Sequence, residues 1–343
     1  MKRHLHILPR WPVAAAISLL CSIPAGSPLI SRAAQGDVEL LDVRKIWDRA
    51  PHNAFTDLVW FGEQWFCVFR EGQSHVSPDG ALRVITSKNG RDWTSAALLS
   101  RPDVDLRDAK ITVTPDSRLM LSGAAALHQP AAYKHQSLAW FSKEGREWSE
   151  PVPIGDRNLW LWRVTWHKNT AYSIGYETAA EKFVRLYTSQ DGRRFDVLVP
   201  TLFDDGQPNE TSIVFQPDET ALCLLRRDGN PASAKLGVAR PPYTDWHWRD
   251  LGVKIGGPQM IRLSDGRVVA AVRLYGTSVR TSLTWVDPES GRLSEFLKLP
   301  SGGDTGYAGL VWHDGVLWVS YYSSHQGQTC VYLAQVRIPS RKS

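Results

Sequence analysis

The chain of 343 residues is longer than the usual single domain, yet no linker or low-complexity stretch follows residue 37. Its 15 tryptophans, with Val, Leu and Ile at alternating positions, are typical of packed sheets, and a helical period over about 11 residues is hard to find. Most of the net charge of +5 belongs to the first 34 residues, and the remainder has 36 basic against 35 acidic side chains, which gives no support to a nucleic-acid partner.

The first 34 residues predict a secretory signal peptide. Lys2, Arg3 and Arg10 precede an apolar stretch over residues 12–23, and small residues follow up to Ala33-Ala34. The apolar stretch is too short to cross a bilayer comfortably, so a stable membrane span is not expected. We therefore expect a secreted or periplasmic protein whose mature part is residues 35–343.

From Phe55 onward a two-strand unit recurs about every 50 residues. Each unit is an apolar strand, a tight turn and a second apolar strand, and each leaves room for two more strands. Six such units predict an all-β fold, a six-bladed β-propeller with four antiparallel strands per blade, in which an N-terminal strand closes the last blade. The predicted turns are Gly62-Glu63, Pro115-Asp116-Ser117, Lys168-Asn169, Pro217-Asp218-Glu219, Ser264-Asp265-Gly266 and Asp314-Gly315.

The outer strands carry a second recurring turn. It reads Ser-Lys-Asn-Gly-Arg-Asp-Trp over residues 87–93 and is echoed over residues 142–148 and 189–195. Small polar residues there bond their own backbone, the glycine takes a positive φ, and the aromatic residue fills the space between blades. We interpret this turn as structural.

The ends of the hairpins farthest from their turns are expected to rim the central channel. Counting from each turn places Arg70, Arg226 and Arg273 there, and it places Glu210 beside Arg226. Three guanidinium groups facing one space favour recognition of an anion such as a carboxylate. The alternative is local pairing, of Arg70 with Glu71, of Arg226 with Glu210, and of Arg273 with an acid that the sequence does not identify.

These residues resemble the exo-sialidases and their relatives, which have six blades, Ser-x-Asp-Gly-x-x-Trp-like turns and three arginines on separate blades. The resemblance spans about residues 38–339 and is most specific where Glu210, Arg226, Arg273 and Tyr307 follow one another in the order that the family uses. It implies that the arginines hold a substrate carboxylate, that Tyr307 is the nucleophile, and that Glu210 takes its proton. The alternative for Tyr307 is a tyrosine that lines the channel.

The resemblance also places a general acid in the loop after the second strand of blade one. Asp79 is the candidate there, because protonating a leaving oxygen needs a carboxyl group at the rim, and His75 and Asp57 are substitutes. Asp108 begins the repeating unit of blade two, as Glu210 and Tyr307 begin theirs. It is expected to bond substrate substituents or to pair with Arg107.

One departure from the family concerns its first arginine. Sialidases usually carry Phe-Arg-Ile-Pro at the start of blade one, where this chain has Phe55-Thr56-Asp57-Leu58. Arg70 or Arg107 is expected to supply the missing charge, and Asp57 to belong to an altered pocket. The choice between Arg226 and its neighbour Arg227, and the identity of the sugar, stay open at this stage.

Three cysteines remain after the signal segment, Cys67, Cys223 and Cys330, and we interpret them as buried thiols. Cys67 and Cys223 occupy blades on opposite sides of the ring and cannot reach each other. No metal-ligand spacing and no sign of an organic cofactor appears, so neither is expected. Oligomeric state is open.

The sequence as a whole favours a retaining glycosidase that removes a terminal sialic acid, or a related acidic sugar, from glycoconjugates. A second hypothesis is a glycosidase that uses two carboxylates, drawn from Asp57, Asp79, Asp108 and Glu210, on uronic or neutral sugars. A third is a carbohydrate-binding propeller without catalytic activity.

Overall fold

Twenty-four β-strands and no helix make up the described part of the chain, residues 37–129 and 132–340 of a computed structural model. They form six blades of four antiparallel strands, and this confirms the predicted propeller. Blade one is β2 (His52–Phe61), β3 (Gln64–Gly72), β4 (Ala81–Ser87) and β5 (Thr94–Leu99); blade two is β6 (Val104–Val113), β7 (Leu119–Leu127), β8 (His135–Ser142) and β9 (Val152–Ile154); blade three is β10 (Leu159–His167), β11 (Thr170–Glu177), β12 (Val184–Ser189) and β13 (Asp196–Phe203).

The remaining blades follow the same order, from an inner strand at the channel to an outer strand at the surface. All six predicted turns lie between the first two strands of a blade. Blade four is β14 (Pro208–Phe215), β15 (Ala221–Arg227), β16 (Lys235–Ala239) and β17 (His247–Asp250); blade five is β18 (Ile255–Arg262), β19 (Val268–Leu274), β20 (Arg280–Asp287) and β21 (Arg292–Lys298); blade six is β22 (Thr305–His313), β23 (Val316–Gln326), β24 (Gln328–Arg337) and β1 (Glu39–Trp47).

The ring is closed by the first strand of the chain. β1 pairs antiparallel with β24, from Glu39 opposite Arg337 to Trp47 opposite Val331, so the N-terminal strand completes the last blade as predicted. A single parallel bridge between His52 and Thr329 joins this blade to blade one. The predicted signal peptide, residues 1–34, lies outside the described residues, and within the described ranges no helix has the length and hydropathy needed to cross a membrane.

The hydrophobic core is divided among the blade interfaces. Six clusters of buried residues each combine side chains from two adjacent blades, and a seventh, mostly aromatic, lies at the channel. The free thiols of Cys67, Cys223 and Cys330 are buried, as predicted. Because every blade packs on two neighbours, closing the ring leaves no blade face without a partner.

The recurring outer turns have the structural role that the sequence predicts. Gly90 and Gly145 take φ values of 67° and 79°. The indole N–H groups of Trp93 and Trp148 donate to the carbonyl oxygens of Gly90 and Gly145, at 3.2 and 3.1 Å. A Cβ atom on Gly145 would come within 2.2 Å of the Phe66 ring in the neighbouring blade, so these turns pack between blades.

Each inner strand is interrupted by a bulge at the same height. The Cα register skips two residues between Ala54 and Asp57 in blade one and between Gly306 and Gly309 in blade six, and the other four inner strands show the same break. A bulge bends its strand and redirects side chains. Here it turns one residue of each blade toward the channel axis: Phe55, Asp108, Trp162, Glu210, Gly257 and Tyr307 lie within these bulges.

We predict that Gly309→Ala destabilises the ring at the junction of blades six and one. A Cβ atom at Gly309 would lie 2.3 Å from the amide nitrogen of Leu58 and 2.7 Å from the carbonyl carbon of Asp57, and backbone cannot move aside cheaply. We expect a loss of about 1–3 kcal/mol in the free energy of unfolding, measured by urea denaturation. Gly302→Ala is the control, since its nearest neighbour would be His325 Cβ at 3.7 Å. Equal midpoints for the two variants would contradict the prediction.

Candidate functional site

A tyrosine and a glutamate meet at the bulge end of the channel. Tyr307 Oη donates to Glu210 Oε1 at 2.7 Å, and Arg226 Nη1 donates to both groups, at 3.0 Å to Tyr307 Oη and 2.7 Å to Glu210 Oε1. The amide of Gly257 donates to the other Glu210 oxygen at 2.7 Å. The two bulge residues come from blades six and four, and the arginine comes from the strand beside Glu210.

The surroundings set different protonation states for the two partners. Burial alone would raise the pKa of Glu210, but the Arg226 charge and the hydrogen bonds from Arg226, Tyr307 and Gly257 outweigh it and hold that pKa below its usual value. Burial raises the pKa of the Tyr307 phenol well above its usual value, and the Glu210 charge adds to this. At neutral pH the pair is therefore a neutral phenol bonded to a carboxylate.

Arg273 is the second arginine at this tyrosine. Its guanidinium carbon lies 5.1 Å from the centre of the Tyr307 ring, and Nη2 donates to Tyr322 Oη at 2.8 Å and to Asp304 Oδ1 at 3.2 Å. Arg226 in turn pairs with Asp228 through Nη2 at 2.8 Å. Both side chains keep a small exposed fraction, 15% for Arg226 and 13% for Arg273, so neither is fully enclosed by protein.

Arg70 does not face the channel. Its side chain is 0% exposed, with Nε donating to Asp105 Oδ1 at 2.7 Å and the other nitrogens donating to Ser74 and Ser77. The local pairing that the sequence left open therefore occurs, but with Asp105 of the next blade rather than with Glu71. Glu71 instead accepts hydrogen bonds from other side chains.

The sequence predicted that Arg70, Arg226 and Arg273 occupy equivalent positions in their blades, and the strand register shows that Arg226 does not. Arg70 and Arg273 each pair with the residue just before the bulge of their blade, and in blade four that position belongs to Arg227. Arg226 lies opposite the bulge itself. Counting residues from the hairpin turn cannot show this difference, because the number of unpaired residues in the turn and the number of paired residues between the turn and the bulge differ between blades. Arg227 is 1% exposed and pairs with Asp205 at 2.8 Å, so Arg226 is the arginine of the channel.

Arg107 and Asp108 of blade two complete the rim. The Arg107 guanidinium lies 5.4 Å from the centre of the Phe55 ring and donates to Asp105 Oδ2 at 3.1 Å. No side-chain hydrogen bond to the Asp108 carboxyl occurs among the described residues, and Asp108 as a residue is 7% exposed. Burial raises the pKa of Asp108 and the Glu210 charge adds to it, against the opposing charges of Arg107 and Lys110. Asp108 is thus the carboxyl here that most readily keeps its proton.

Two other carboxylates predicted for the site lie elsewhere. Asp79 accepts hydrogen bonds from the Gln73 amide at 3.1 and 3.2 Å in an exposed loop, and a hydrogen bond from Ser77 is the main cause of a lowered pKa. Asp57 lies on the turn side of the bulge, where it pairs with Arg163 at 2.9 Å and accepts from the Ile111 amide. Neither carboxylate bonds the Tyr307–Glu210 pair.

A cluster that the sequence analysis did not connect lies beside Arg273. Asp304 Oδ2 contacts His52 Nε2 at 3.1 Å and His75 Nδ1 at 2.7 Å, and Asp304 Oδ1 accepts from Tyr322 Oη at 2.7 Å. These hydrogen bonds outweigh burial and hold the pKa of Asp304 well below its usual range. The sequence places Asp304 three residues before Tyr307, which could have marked it as a site residue. The sequence does not show that the His52 and His75 segments approach Asp304.

This cluster has three ligand atoms within 4.8 Å of one another, which is the spacing of a candidate metal site. The second nitrogen of His52, Nδ1, is buried and has no partner. Histidine ligands of metals almost always donate that nitrogen to a carbonyl or carboxylate, so the surroundings fit the hydrogen-bonded His–Asp–His arrangement better than a metal centre.

Comparison with known proteins shows the fold rather than a family. The chain matches no family model and no curated protein sequence. A protein of unknown function from Dyadobacter fermentans superposes with a TM-score of 0.78 at 19% identity, over 88% of this chain and 99% of that one. The arabinobiose-bound α-L-arabinanase of Penicillium chrysogenum does so with 0.68 at 12% identity, over 86% of this chain and 98% of that one.

A sialidase is among the similar structures. The Trypanosoma rangeli sialidase in complex with 2,3-difluorosialic acid, a covalent intermediate, superposes with a TM-score of 0.66 at 12% identity, over 84% of this chain and 54% of that one. The chain therefore has the six-bladed fold that sialidases and arabinanases share. At these identities the similarity establishes the architecture, and function has to be argued from the site.

We predict that Arg70 stabilises the fold. Arg70→Met leaves the Asp105 carboxylate buried with Arg107 as its remaining partner, and we expect the free energy of unfolding to fall by about 3 kcal/mol. Arg280→Met is the control, because the Arg280–Glu295 pair is more exposed and exposed pairs contribute only about 0.2–1 kcal/mol. Urea denaturation measures both, and an Arg70 variant as stable as the control would show that the buried pair contributes little.

Proposed function

We propose that this protein is a glycoside hydrolase resembling exo-α-sialidases, which removes a terminal sialic acid or related acidic sugar with retention of configuration. The observation that carries the proposal is the Tyr307–Glu210 hydrogen bond of 2.7 Å with Arg226 bonded to both partners. A buried phenol beside an ionised carboxylate and a cation is suited to nucleophilic attack, because the carboxylate accepts the proton as the phenol oxygen forms its bond.

A tyrosine nucleophile has a physical reason in such a substrate. The anomeric carbon of a sialic acid carries a carboxylate, which repels an attacking Asp or Glu, whereas a phenol stays neutral until its base takes the proton. Arg226 and Arg273 flank Tyr307 and are placed to bind that carboxylate. Arg107, whose guanidinium lies over Phe55 in the segment that carries the first arginine in the family, is our candidate for the third cation.

Asp108 is the proton donor that the electrostatics favour. The sequence assigned this role to Asp79, whose pKa is lowered, while the pKa of Asp108 is raised by burial. In the proposed reaction Tyr307 Oη bonds the anomeric carbon, Glu210 takes the phenolic proton, and the leaving oxygen departs with a proton from Asp108. Asp108 then deprotonates the water that releases the sugar, and Glu210 returns the proton to Tyr307.

A second candidate function is supported by the same two carboxyls. Glu210 and Asp108 have pKa values pushed in opposite directions, which is the property of an acid and base pair in glycosidases that act without a tyrosine. The structurally similar α-L-arabinanase of Penicillium chrysogenum has arabinobiose bound, and arabinobiose is a neutral sugar. On this alternative the substrate is a neutral or uronic glycoside, and Tyr307 only orients Glu210.

We also propose that the protein is exported, as the sequence of residues 1–34 indicates. A sialylated or otherwise acidic glycan outside the cytoplasm is the partner consistent with this location. Protease protection of the mature chain in intact cells, and the mass of its N-terminus, test the location directly.

We predict that Tyr307→Phe loses at least about 10³-fold of the activity on a fluorogenic α-sialoside and stays folded, since only the hydroxyl is removed. Tyr321→Phe is the matched control: Tyr321 is also buried, but its hydroxyl bonds the Pro300 carbonyl at 2.9 Å, away from Glu210. Activity is measured beside a panel of uronides and neutral glycosides. Sialoside activity retained by the Tyr307 variant would refute the nucleophile role, activity on another glycoside alone would favour the carboxylate mechanism, and binding without turnover would favour a lectin.

We predict a bell-shaped pH profile whose acid limb is set by Glu210 and whose alkaline limb is set by Asp108. Activity is lost as pH falls through the lowered pKa of Glu210, which must be ionised, and as pH rises through the raised pKa of Asp108, which must be protonated. Asp108→Asn should remove the alkaline limb and slow substrates with poor leaving groups about 10²-fold or more, and substrates with activated phenols much less. Asp79→Asn is the control, with an unchanged profile. The opposite pattern would restore Asp79 as the acid.

A further inference from the structure

The channel contains a buried lysine without a counter-ion. Four Lys or Arg side chains are buried in the described ranges, and three of them, Arg70, Arg163 and Arg227, pair with a carboxylate. Lys110 is 2% exposed, and it forms no ion pair with any residue of the part of the chain that the structure describes. Its one hydrogen bond, of 3.1 Å, goes to the carbonyl of the preceding residue, Ala109. Burying an ammonium group without a neighbouring anion is unfavourable, so an anion bound beside Lys110 would stabilise the folded protein.

Lys110 faces a cavity in the turn half of the channel. The cavity has a volume of about 520 Å³ and is walled by the inner strands beyond their bulges. Arg163, Asp57 and Gln259 are among its other polar lining residues, together with Ser122, His167 and Arg262, and apolar side chains of the inner strands lie between them. The apolar lining includes Val59, Ile111, Val164, Ile213, Met260 and Leu310.

The one carboxylate in this group is already engaged. Asp57 accepts hydrogen bonds from the amides of Leu58 and Ile111, at 3.1 and 3.0 Å, and pairs with Arg163 Nη1 at 2.9 Å. Arg163 Nη2 donates to a carbonyl, but Arg163 Nε is buried without a partner. Lys110, Arg163 and Asp57 together carry one net positive charge when the lysine is protonated.

The carboxyls of the catalytic end do not neutralise Lys110. Glu210 is saturated by Arg226, Tyr307 and the Gly257 amide, and Asp108 makes no bond to the ammonium. Burial, followed by the Arg163 charge, lowers the pKa of Lys110 to about 8, while Asp108, Asp57 and Glu210 act in the opposite direction. Lys110 is therefore protonated near neutral pH, and its positive charge is only partly neutralised by the neighbouring carboxylates.

We propose that the channel cavity binds a small monovalent anion between Lys110 and Arg163. One negative charge neutralises the net charge of Lys110, Arg163 and Asp57, whereas a divalent anion would leave an excess negative charge buried beside them. Weakly hydrated anions such as bromide, or a small carboxylate, are favoured over sulfate for the same reason. This site is separate from the Tyr307–Glu210 pair and does not depend on the reaction proposed for it.

The anion site and the catalytic end share one aromatic residue. Lys110 Nζ lies 4.9 Å from the centre of a ring of Trp162, and Trp162 contacts Tyr307 at a ring distance of 5.6 Å. Binding an anion beside Lys110 holds the lysine in its charged form, and this charge is felt by Asp108 and Glu210. Occupancy of the cavity would thus couple to the acid and base of the site.

Sodium bromide titration of the purified protein tests the proposal. The thermal midpoint should rise and saturate with bromide in the wild type, relative to Lys110→Met, because a ligand bound to the folded state stabilises it in proportion to occupancy. Lys88→Met, at an exposed lysine, is the matched control and should behave as the wild type. General salt effects act alike on all three proteins and cancel. Parallel curves for wild type and Lys110→Met would overturn the proposal.

Two further readouts keep the test decisive if Lys110→Met does not fold. A bromide-soaked crystal of the wild type should show an anomalous peak within about 3.5 Å of Lys110 Nζ, and peaks confined to the surface would mean that water fills the cavity. The bromide affinity should also fall about tenfold or more between pH 7 and pH 9.5, as Lys110 loses its proton. A pH-independent affinity would show that Lys110 is not the ligand.

Discussion

The site depends on one backbone feature, the bulge that interrupts all six inner strands at the same height. In a regular strand side chains alternate between faces, so a residue at the channel would be flanked by residues in the blade interfaces. The bulge breaks this alternation and turns Phe55, Asp108 and Tyr307 to the axis with φ values of 63°, 53° and 50°. Such conformations cost on the order of 1–3 kcal/mol each. Packing of each blade on both neighbours holds them in place.

Charge pairing then decides what each group can do. Glu210 and Asp108 are both buried bulge residues. Glu210 receives hydrogen bonds from Arg226, Tyr307 and a backbone amide and stays ionised, whereas the Asp108 carboxyl receives none from the side chains of the described residues and is pushed toward its neutral form. Among the buried Lys and Arg side chains of the described residues, Lys110 is the one without a carboxylate partner. The same burial therefore gives, among the described residues, an ionised carboxylate, a carboxyl pushed toward its neutral form and a cation without a carboxylate partner, according to the hydrogen bonds available to each.

A large part of this arrangement could be predicted because it is local or periodic. The six turns, the blade count and the closing strand follow from alternating apolar residues and turn chemistry that repeat about every 50 residues. The approach of Glu210 and Arg226 also follows, because they face each other across a single hairpin. The burial of Arg70 does not, since its partner Asp105 belongs to the next blade and no spacing along the chain reports that contact.

Sequence alone was sufficient for the architecture, for the nature of the outer turns and for the approach of Glu210 to Arg226, since short-range propensity and repetition encode them. It did not separate Arg70, Asp57 and Asp79, which lie elsewhere, from the residues around Tyr307. Contacts between blades were decided by the tertiary structure. The register placed Arg226 rather than Arg227 at Tyr307, and the closed ring brought Asp304 to His52 and His75. The reason is physical: the position and protonation of a buried charge depend on neighbours that chain closure supplies, and those neighbours lie far away in sequence.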